Sequence, residues 1–159
     1  MATIALPSVQ SLLLAMQFQG QPLGTGTGFV TQTAKGPFLI TNWHIVAGRN
    51  PQTNQVISIT AGIPDELVII HNRKDHLGEW IPRTEKLQGT NGNLWIEHPV
   101  HGQRADFVAL PLTQLDDVQL YPYSLGIGDP LIKCGPADTV SVVGFPFGIQ
   151  AGGSLAVWA

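Results

Sequence analysis

Glycine and proline interrupt this sequence at short intervals, and that punctuation limits the chain to short structural elements. The 159 residues include 18 glycines and 12 prolines, which separate short apolar runs rich in β-branched residues. Such runs, bounded by turn-forming residues, are typical of strands joined by tight turns. Hydrophobic residues make up 43% of the chain, which is enough for one ordinary core. The sequence therefore predicts an all-β fold.

The apolar runs give the expected positions of the strands. They are residues 8–18, 29–32, 37–41, 56–60, 67–71, 93–98, 106–112, 139–144 and 154–158. Residues 34–36 should close a hairpin, with Lys35 at its solvated tip. Residues 72–92 carry charges of alternating sign, so we expect a solvated hairpin around Trp80 and Ile81.

Composition excludes several classes of function. Charged residues make up only 12% of the chain, which argues against disorder and against a coiled coil. The net charge of −3 and the eight scattered Lys and Arg residues provide no basic surface for nucleic acid. The lone cysteine, Cys134, excludes an internal disulfide framework, and we interpret it as a small buried or loop thiol.

The apolar run Leu12-Leu13-Leu14-Ala15-Met16 is too short to span a bilayer. No basic residue precedes it, so the chain shows no signal peptide. We therefore expect no membrane partner. A cytoplasmic location is favoured, although the compartment stays open.

The stretch from Phe38 to Gly48 carries the first candidate site residue. Residues 38–40 have the bulky and β-branched content of a buried strand, and residues 45–47 provide one apolar turn that Gly48 can end in a left-handed conformation. His44 then lies at a strand end, on a fixed backbone, where a general base is well placed. Taken alone, His44 reads equally well as a satisfied core histidine.

A second stretch, Ala105-Asp106-Phe107-Val108-Ala109-Leu110, favours the catalytic interpretation of His44. Together with Thr41-Asn42-x-His44-x-Val46 it resembles the trypsin-like serine peptidases, especially the disulfide-poor bacterial branch that includes the HtrA-type proteases. Gly24-Thr25-Gly26-Thr27-Gly28-Phe29-Val30 resembles that family's glycine-rich segment before the histidine strand. Val142-Val143-Gly144-Phe145-Pro146-Phe147-Gly148 resembles its Gly-x-Pro-x-Gly corner. The four matches stand in the family's order.

The resemblance implies a double β-barrel that hydrolyses a protein or peptide substrate without a cofactor or metal. Residues 1–117 would form the first barrel, residues 118–137 the connector, and residues 138–159 the first strands of an incomplete second barrel. His44 would be the general base, and Asp106 the acid that orients it.

The serine nucleophile of such a peptidase follows the acid by about 90 residues, which places it beyond Ala159. The chain as given contains no nucleophile and should be inactive. Ser154, in Gly152-Gly153-Ser154, superficially resembles a hydrolase elbow, but that elbow requires its acid and histidine afterwards. We therefore interpret Ser154 as a strand residue. Two alternatives stay open: a non-catalytic barrel that binds a protein partner, and a relative with a cysteine nucleophile.

Two further motifs are weighed against plainer interpretations. Residues 24–28 are rich in glycine but lack the Gly-x-Gly-x-x-Gly spacing, and a strand follows them, so a nucleotide-binding loop is disfavoured.

His98 and His101 have a spacing that can suit a metal ion. Pro99 disfavours the helix that would align them, and no cysteine or acidic pair completes the ligand set. We expect these histidines to lie instead in a loop that supports the strand beginning at Asp106.

The apolar strands of residues 138–159 should not stand alone, because an incomplete barrel leaves open edges and an apolar face. We expect this segment to self-associate with another copy, to pack back on the first barrel, or to be completed by a longer polypeptide.

Overall fold

The computed structural model describes residues 4–125, 135–151 and 153–158. Within these residues the chain forms two short helices and twelve strands. In chain order they are α1 Leu6–Gln10, β1 Ser11–Phe18, β2 Gln21–Thr33, β3 Gly36–Thr41, α2 Trp43–Ala47, β4 Glu66–Arg73, β5 Trp80–Lys86, β6 Gln88–Gly89, β7 Gly92–Asn93, β8 Ile96–Glu97, β9 Val108–Pro111, β10 Val118–Gln119, β11 Val143–Gly144 and β12 Val157–Trp158. Two 3-10 turns, Gly102–Ala105 and Pro146–Gly148, precede β9 and follow β11.

One large antiparallel sheet dominates the molecule. Seven of its strands follow the order β10-β4-β1-β2-β3-β9-β8, and an eighth, β5, also pairs with β4. The all-β prediction is therefore confirmed. Among the described residues no ladder joins β8 to the strands at the other end, and no closed barrel is observed. The double barrel stays a prediction.

Tight turns set the register of the first three strands. Gln19 and Gly20 both have positive φ, 50° and 75°, as a two-residue hairpin turn requires. The hairpin between β2 and β3 is confirmed. Strand β2 is longer than expected because its glycines lie inside it. A Cβ at Gly26 would lie 2.6 Å from Ile45 Cδ1, and one at Gly28 would lie 2.8 Å from Leu39 Cδ1. Only glycine admits such close packing without a shift.

The core lies on one face of the sheet, where every second residue of the central strands is buried. Strand β4 shows the alternation, with Leu67, Ile69 and His71 buried. Strands β1, β3 and β9 contribute the fully buried Leu14, Leu39 and Leu110 to the same core, and helix α2 adds Val46. The buried residues of this cluster are Leu12, Leu14, Val30, Leu39, Trp43, Ile45, Val46, Ala47, Leu67, Ile69, Leu87, Trp95, Val108, Leu110 and Leu112.

The prediction of a strand at residues 56–60 is wrong. Apart from one isolated bridge between Arg49 and Val56, this segment pairs with no strand of the described chain. The Ser58 and Thr60 hydroxyls bond to each other at 2.8 Å, and the Thr60 N–H donates to Ser58 Oγ at 3.2 Å. Local hydroxyl bonds of this kind compete with a ladder, and Ile59 is left fully exposed.

Other predicted elements also have bounds that differ from those expected. Residues 8–10 belong to α1, where Pro7 favours the first helical turn, and the strand begins only at Ser11. Of residues 93–98, only Asn93, the last residue of β7, and the two residues of β8 lie in strands. Trp80 and Ile81 lie in β5; the tip of that hairpin is the turn at residues 75–78, where Asp75 and Gly78 have positive φ.

The segment after the main sheet packs back onto it. Strand β11 pairs with β12. Each of these strands has only two residues, so the strands predicted at residues 139–144 and 154–158 are much shorter than expected. The Trp158 indole donates to Ser8 Oγ at 2.7 Å, and Ser11 Oγ donates to the Val143 carbonyl at 3.4 Å. Phe145 and Ala156 are buried. Of the three expected outcomes for residues 138–159, packing on the first sheet is the one observed in the described part.

The predicted connector starts inside the main sheet, because Val118 and Gln119 pair with β4 as strand β10. Residues 126–130, which carry its turn signals, and Cys134 lie outside the described residues. Neither described helix has the length and apolar character needed to cross a membrane.

Candidate active site

Strand pairing brings together two residues that are 62 positions apart. Strands β3 and β9 are antiparallel neighbours, with Thr41 opposite Val108. Just past Thr41 the chain enters α2, which carries His44; just before Val108 it leaves the 3-10 turn that ends at Asp106. Because an antiparallel pair runs in opposite directions, the segment after one strand lies beside the segment before the other.

Helix α2 presents His44 as the sequence predicted. Asn42 has an extended backbone and begins the helix; Gly48 ends it with φ 62°, and the Gly48 N–H donates to the His44 carbonyl at 3.0 Å. Ile45 and Val46 are buried in the core. A five-residue helix is too short to be stable alone, so these apolar anchors hold it and leave His44 half-buried at the surface.

Asp106 lies in a turn and not in the predicted strand, which is a correction of the bounds 106–112. Its φ is 50°, in the left-handed region, and it caps the 3-10 turn with its N–H donated to the Gln103 carbonyl at 3.0 Å. Aspartate tolerates this conformation better than most side chains. Strand β9 starts only two residues later.

The Asp106 carboxylate contacts both the ring and the backbone of His44. Its oxygens lie 2.9 and 3.0 Å from His44 Nδ1, and Oδ1 also accepts the main-chain N–H of His44 at 3.1 Å. Asn42 Nδ2 donates to the Asp106 carbonyl at 3.0 Å and to Oδ2 at 3.3 Å. The predicted hydrogen-bond contact between His44 and Asp106 is therefore confirmed as geometry.

This arrangement selects one tautomer of the histidine. An ionised carboxylate only accepts hydrogen bonds, so Nδ1 must carry the proton that it receives. The neutral ring then keeps its lone pair on Nε2, and no described residue forms a hydrogen bond to that atom. With 34% of its side chain exposed, His44 can meet a ligand from solvent. Chemically, the pair can accept a proton at Nε2 and stabilise the resulting cation.

A pocket of about 180 Å³ opens beside His44, which forms part of its wall. Most of the wall is apolar, and the polar side chains in it are those of His44, Thr25 and Ser58. The apolar side chains are Met16, Leu23, Ile45, Ile57 and Pro64. The sequence does not predict this pocket, because the strand expected at residues 56–60 is absent and Ile57 and Ser58 instead form part of the wall.

No described serine forms a hydrogen bond to the histidine ring. The Ser58 hydroxyl is bonded to Thr60, and Ser154 lies in a turn before β12, not in the predicted strand. In the described residues neither hydroxyl forms a hydrogen bond to His44 or Asp106. Among the described residues the candidate site thus pairs a histidine with an aspartate. Cys134 and Gly152 lie outside the described residues.

His98 and His101 stack on each other at 4.9 Å between ring centroids, in the loop that leads to Asp106. His98 Nδ1 accepts hydrogen bonds from two main-chain N–H groups, so its lone pair is already engaged and is not free to bind a metal ion. The described residues contain no cluster of three or more His, Cys, Asp or Glu side chains suited to a metal ion.

His71 is a buried histidine that sequence reasoning overlooked. It is 1% exposed on the core face of β4, and neither ring nitrogen has a hydrogen-bond partner among the described residues. Burial, with a smaller effect of the Arg83 charge, lowers the pKa of His71 to about 4. It does not line the pocket beside His44, and it is buried on the core face. Its position on the alternating face of residues 67–71 was the signal available in the sequence.

Comparison of the chain with protein-family models, curated proteins and solved structures found no match.

Proposed function

We propose that this chain is the base-and-acid portion of a trypsin-like serine endopeptidase. His44 is the general base, Asp106 orients it, and the serine nucleophile follows Ala159. The observation that carries the proposal is the contact of the Asp106 carboxylate with His44 Nδ1 at 2.9 Å, which leaves Nε2 unbonded within the described chain. In the triad mechanism Nε2 takes the proton of the attacking serine, and the buried acid holds the ring in that tautomer.

Two further features support the proposal, one for a peptide substrate and one for the arrangement of the two barrels. The pocket beside His44 is mostly apolar and about 180 Å³ in volume. It is smaller than the roughly 300–1,000 Å³ typical of small-molecule sites, so in this proposal it admits a small apolar group such as one side chain of a peptide. The short ladder of β11 and β12 packs against β1 and α1. In this proposal the ladder starts the second barrel, the main sheet belongs to the first, and the active site lies between them.

The test uses a polypeptide that continues through a Gly-x-Ser-Gly segment beyond residue 159. We expect it to react with a serine-directed fluorophosphonate, because the base would lie beside the nucleophile. His44→Ala should abolish the labelling. His76→Ala is the matched control, since His76 is an exposed histidine in a hairpin turn and should leave the labelling unchanged. Labelling that survives His44→Ala would overturn the proposal.

A second candidate is a protease-like β-protein that binds a partner without catalysis. It is favoured by the apolar side chains that the C-terminal segment leaves exposed, namely Val140, Val142, Phe147 and Ile149. A folded, serine-bearing polypeptide that resists the fluorophosphonate would support this candidate. Labelling by iodoacetamide that depends on His44 would instead support a cysteine nucleophile.

A further inference from the structure

The loop between β8 and β9 is closed by the side chain of His98. Its Nδ1 accepts the main-chain N–H of Val100 at 3.1 Å and that of His101 at 3.0 Å. The His98 carbonyl also accepts the N–H of Gly102 at 2.8 Å. The imidazole thus caps the start of the turn in the way that an asparagine or aspartate side chain caps a helix.

Only one protonation state of His98 can make these contacts. Two N–H donors point at Nδ1, so that nitrogen must offer a lone pair. The neutral ring with its proton on Nε2 satisfies both donors. An imidazolium carries a proton on each nitrogen and accepts from neither. Protonation would therefore place three N–H groups against one another.

The capped turn leads directly to Asp106. The His101 carbonyl accepts the N–H of Arg104 at 3.1 Å, and the Gln103 carbonyl accepts the N–H of Asp106 at 3.0 Å. On the other side of Asp106, the His98 ring meets the Phe107 ring edge-on at 5.5 Å. His98 therefore supports the acid from both sides without touching it.

We propose that neutral His98 is a positioning residue for the Asp106 carboxylate, and that protonation of His98 releases the loop and weakens the contact between Asp106 and His44. The release of the loop on protonation of His98 is argued from the hydrogen bonds of His98 alone. Its effect on catalysis rests on the proposed function.

The charged groups around His98 do not offset a positive charge on its ring. His101 stacks on one face, and Arg104 adds a cation to the same turn. The Glu97 carboxylate is bonded to the indoles of Trp43 and Trp95, at 2.8 and 3.3 Å. The Asp106 carboxylate is held by His44 and Asn42. No carboxylate of the described residues lies within ion-pair distance of His98.

Amide hydrogen exchange on the chain itself tests the proposal. Protection factors at Val100 and His101 should fall about fivefold between about pH 8 and about pH 5, because a protonated His98 no longer caps the turn. The His44 amide, which donates to Asp106 Oδ1, should lose protection in parallel. Unchanged protection at Val100 and His101 would overturn the release of the loop, and a change that spares the His44 amide would overturn the positioning role.

Three variants separate the cap from general effects of acid. His98→Asn places an amide oxygen near the position of Nδ1 and accepts at every pH, so the pH dependence should vanish while protection stays high. His98→Ala should lose protection at both pH values. His76→Asn, at an exposed histidine of a different hairpin, is the control and should behave like the parent chain. A His98→Asn variant that keeps the pH dependence would contradict the proposal. Because exchange requires no catalysis, a failed fluorophosphonate test would leave these results unaffected.

Discussion

At His44, one carboxylate fixes the ring and the backbone together. Asp106 Oδ1 accepts the main-chain N–H of His44, and both carboxylate oxygens lie within 3.0 Å of Nδ1. The backbone contact ties the acid to α2, so the ring and its partner move as one unit. This is how a solvent-facing imidazole keeps a single tautomer.

Asp106→Asn should disturb that tautomer while preserving the shape of the site. The carboxylate accepts from His44 and from Asn42, and the new amide would replace one acceptor oxygen with a donor. In the serine-bearing polypeptide we expect labelling to slow on the order of 10⁴-fold. Nitrogen NMR of the His44 ring should show the proton moving toward Nε2. Asp75→Asn, in an exposed turn, should change neither measurement.

His71 makes the stability of the fold depend on pH. Its pKa is lowered to about 4 by burial, whereas an unfolded histidine titrates near its ordinary value of 6.5. Between these values the unfolded chain binds the proton and the folded chain does not, so stability falls as the pH drops through this window. Below about pH 4 both states are protonated and the loss is complete.

We expect the free energy of unfolding to fall by about 2 kcal/mol between about pH 7 and pH 5 because of His71 alone. Urea unfolding of the parent chain and of His71→Leu at both pH values measures this term as a difference. The variant should lose less stability in acid. Its stability at neutral pH should match or exceed that of the parent, since two unpaired buried nitrogens disappear. Equal acid sensitivity of the two proteins would refute this assignment.

At the scale of elements, α2 depends on how it ends. Gly48 has φ 62°, and a Cβ placed there would clash with Pro64 Cδ. The left-handed conformation costs a side chain about 1–2 kcal/mol, and the contact with Pro64 adds to it. Residue 48 therefore joins the helix to the wall of the pocket beside His44.

Gly48→Ala should lower the free energy of unfolding by about 2 kcal/mol, measured by urea denaturation. Gly135→Ala provides the control, because its nearest neighbour, Asp138 Oδ2, would lie at an ordinary 3.7 Å. Similar losses in the two variants would show that the strain at residue 48 is absent.

Across the whole molecule, the C-terminal segment is attached to the main sheet through a few side chains. Phe145 is only 3% exposed, and its N–H donates to Thr27 Oγ1 at 2.9 Å on strand β2. Phe147, two residues later, is fully exposed. The two phenylalanines of one corner thus face opposite environments.

Phe145→Ala should cost about 3 kcal/mol of stability, because it empties a buried contact between the segment and the sheet. Phe147→Ala should change stability by no more than about 0.5 kcal/mol. Urea denaturation of both variants measures the difference. Comparable effects of the two substitutions would mean that the segment does not pack on the sheet in solution.

Local signals in the sequence determined the all-β class, the hairpin after β2 and the helical turn that ends at Gly48. These features depend on neighbouring residues, on a period of two, and on positive φ at turn positions, all of which can be read along the chain. The same reasoning failed at residues 56–60, where the Ser58 and Thr60 hydroxyls bond locally and compete with strand pairing.

Only the tertiary structure decided which side chains meet. Sequence resemblance suggested His44 and Asp106 as partners, but their contact depends on the register that places Thr41 opposite Val108. The cap made by His98 and the unpaired burial of His71 likewise depend on how loop and sheet assemble. Barrel closure is a property of the tilt and stagger of all strands at once. No single segment encodes that property, because each strand's register is stabilised by partners that are distant in the chain.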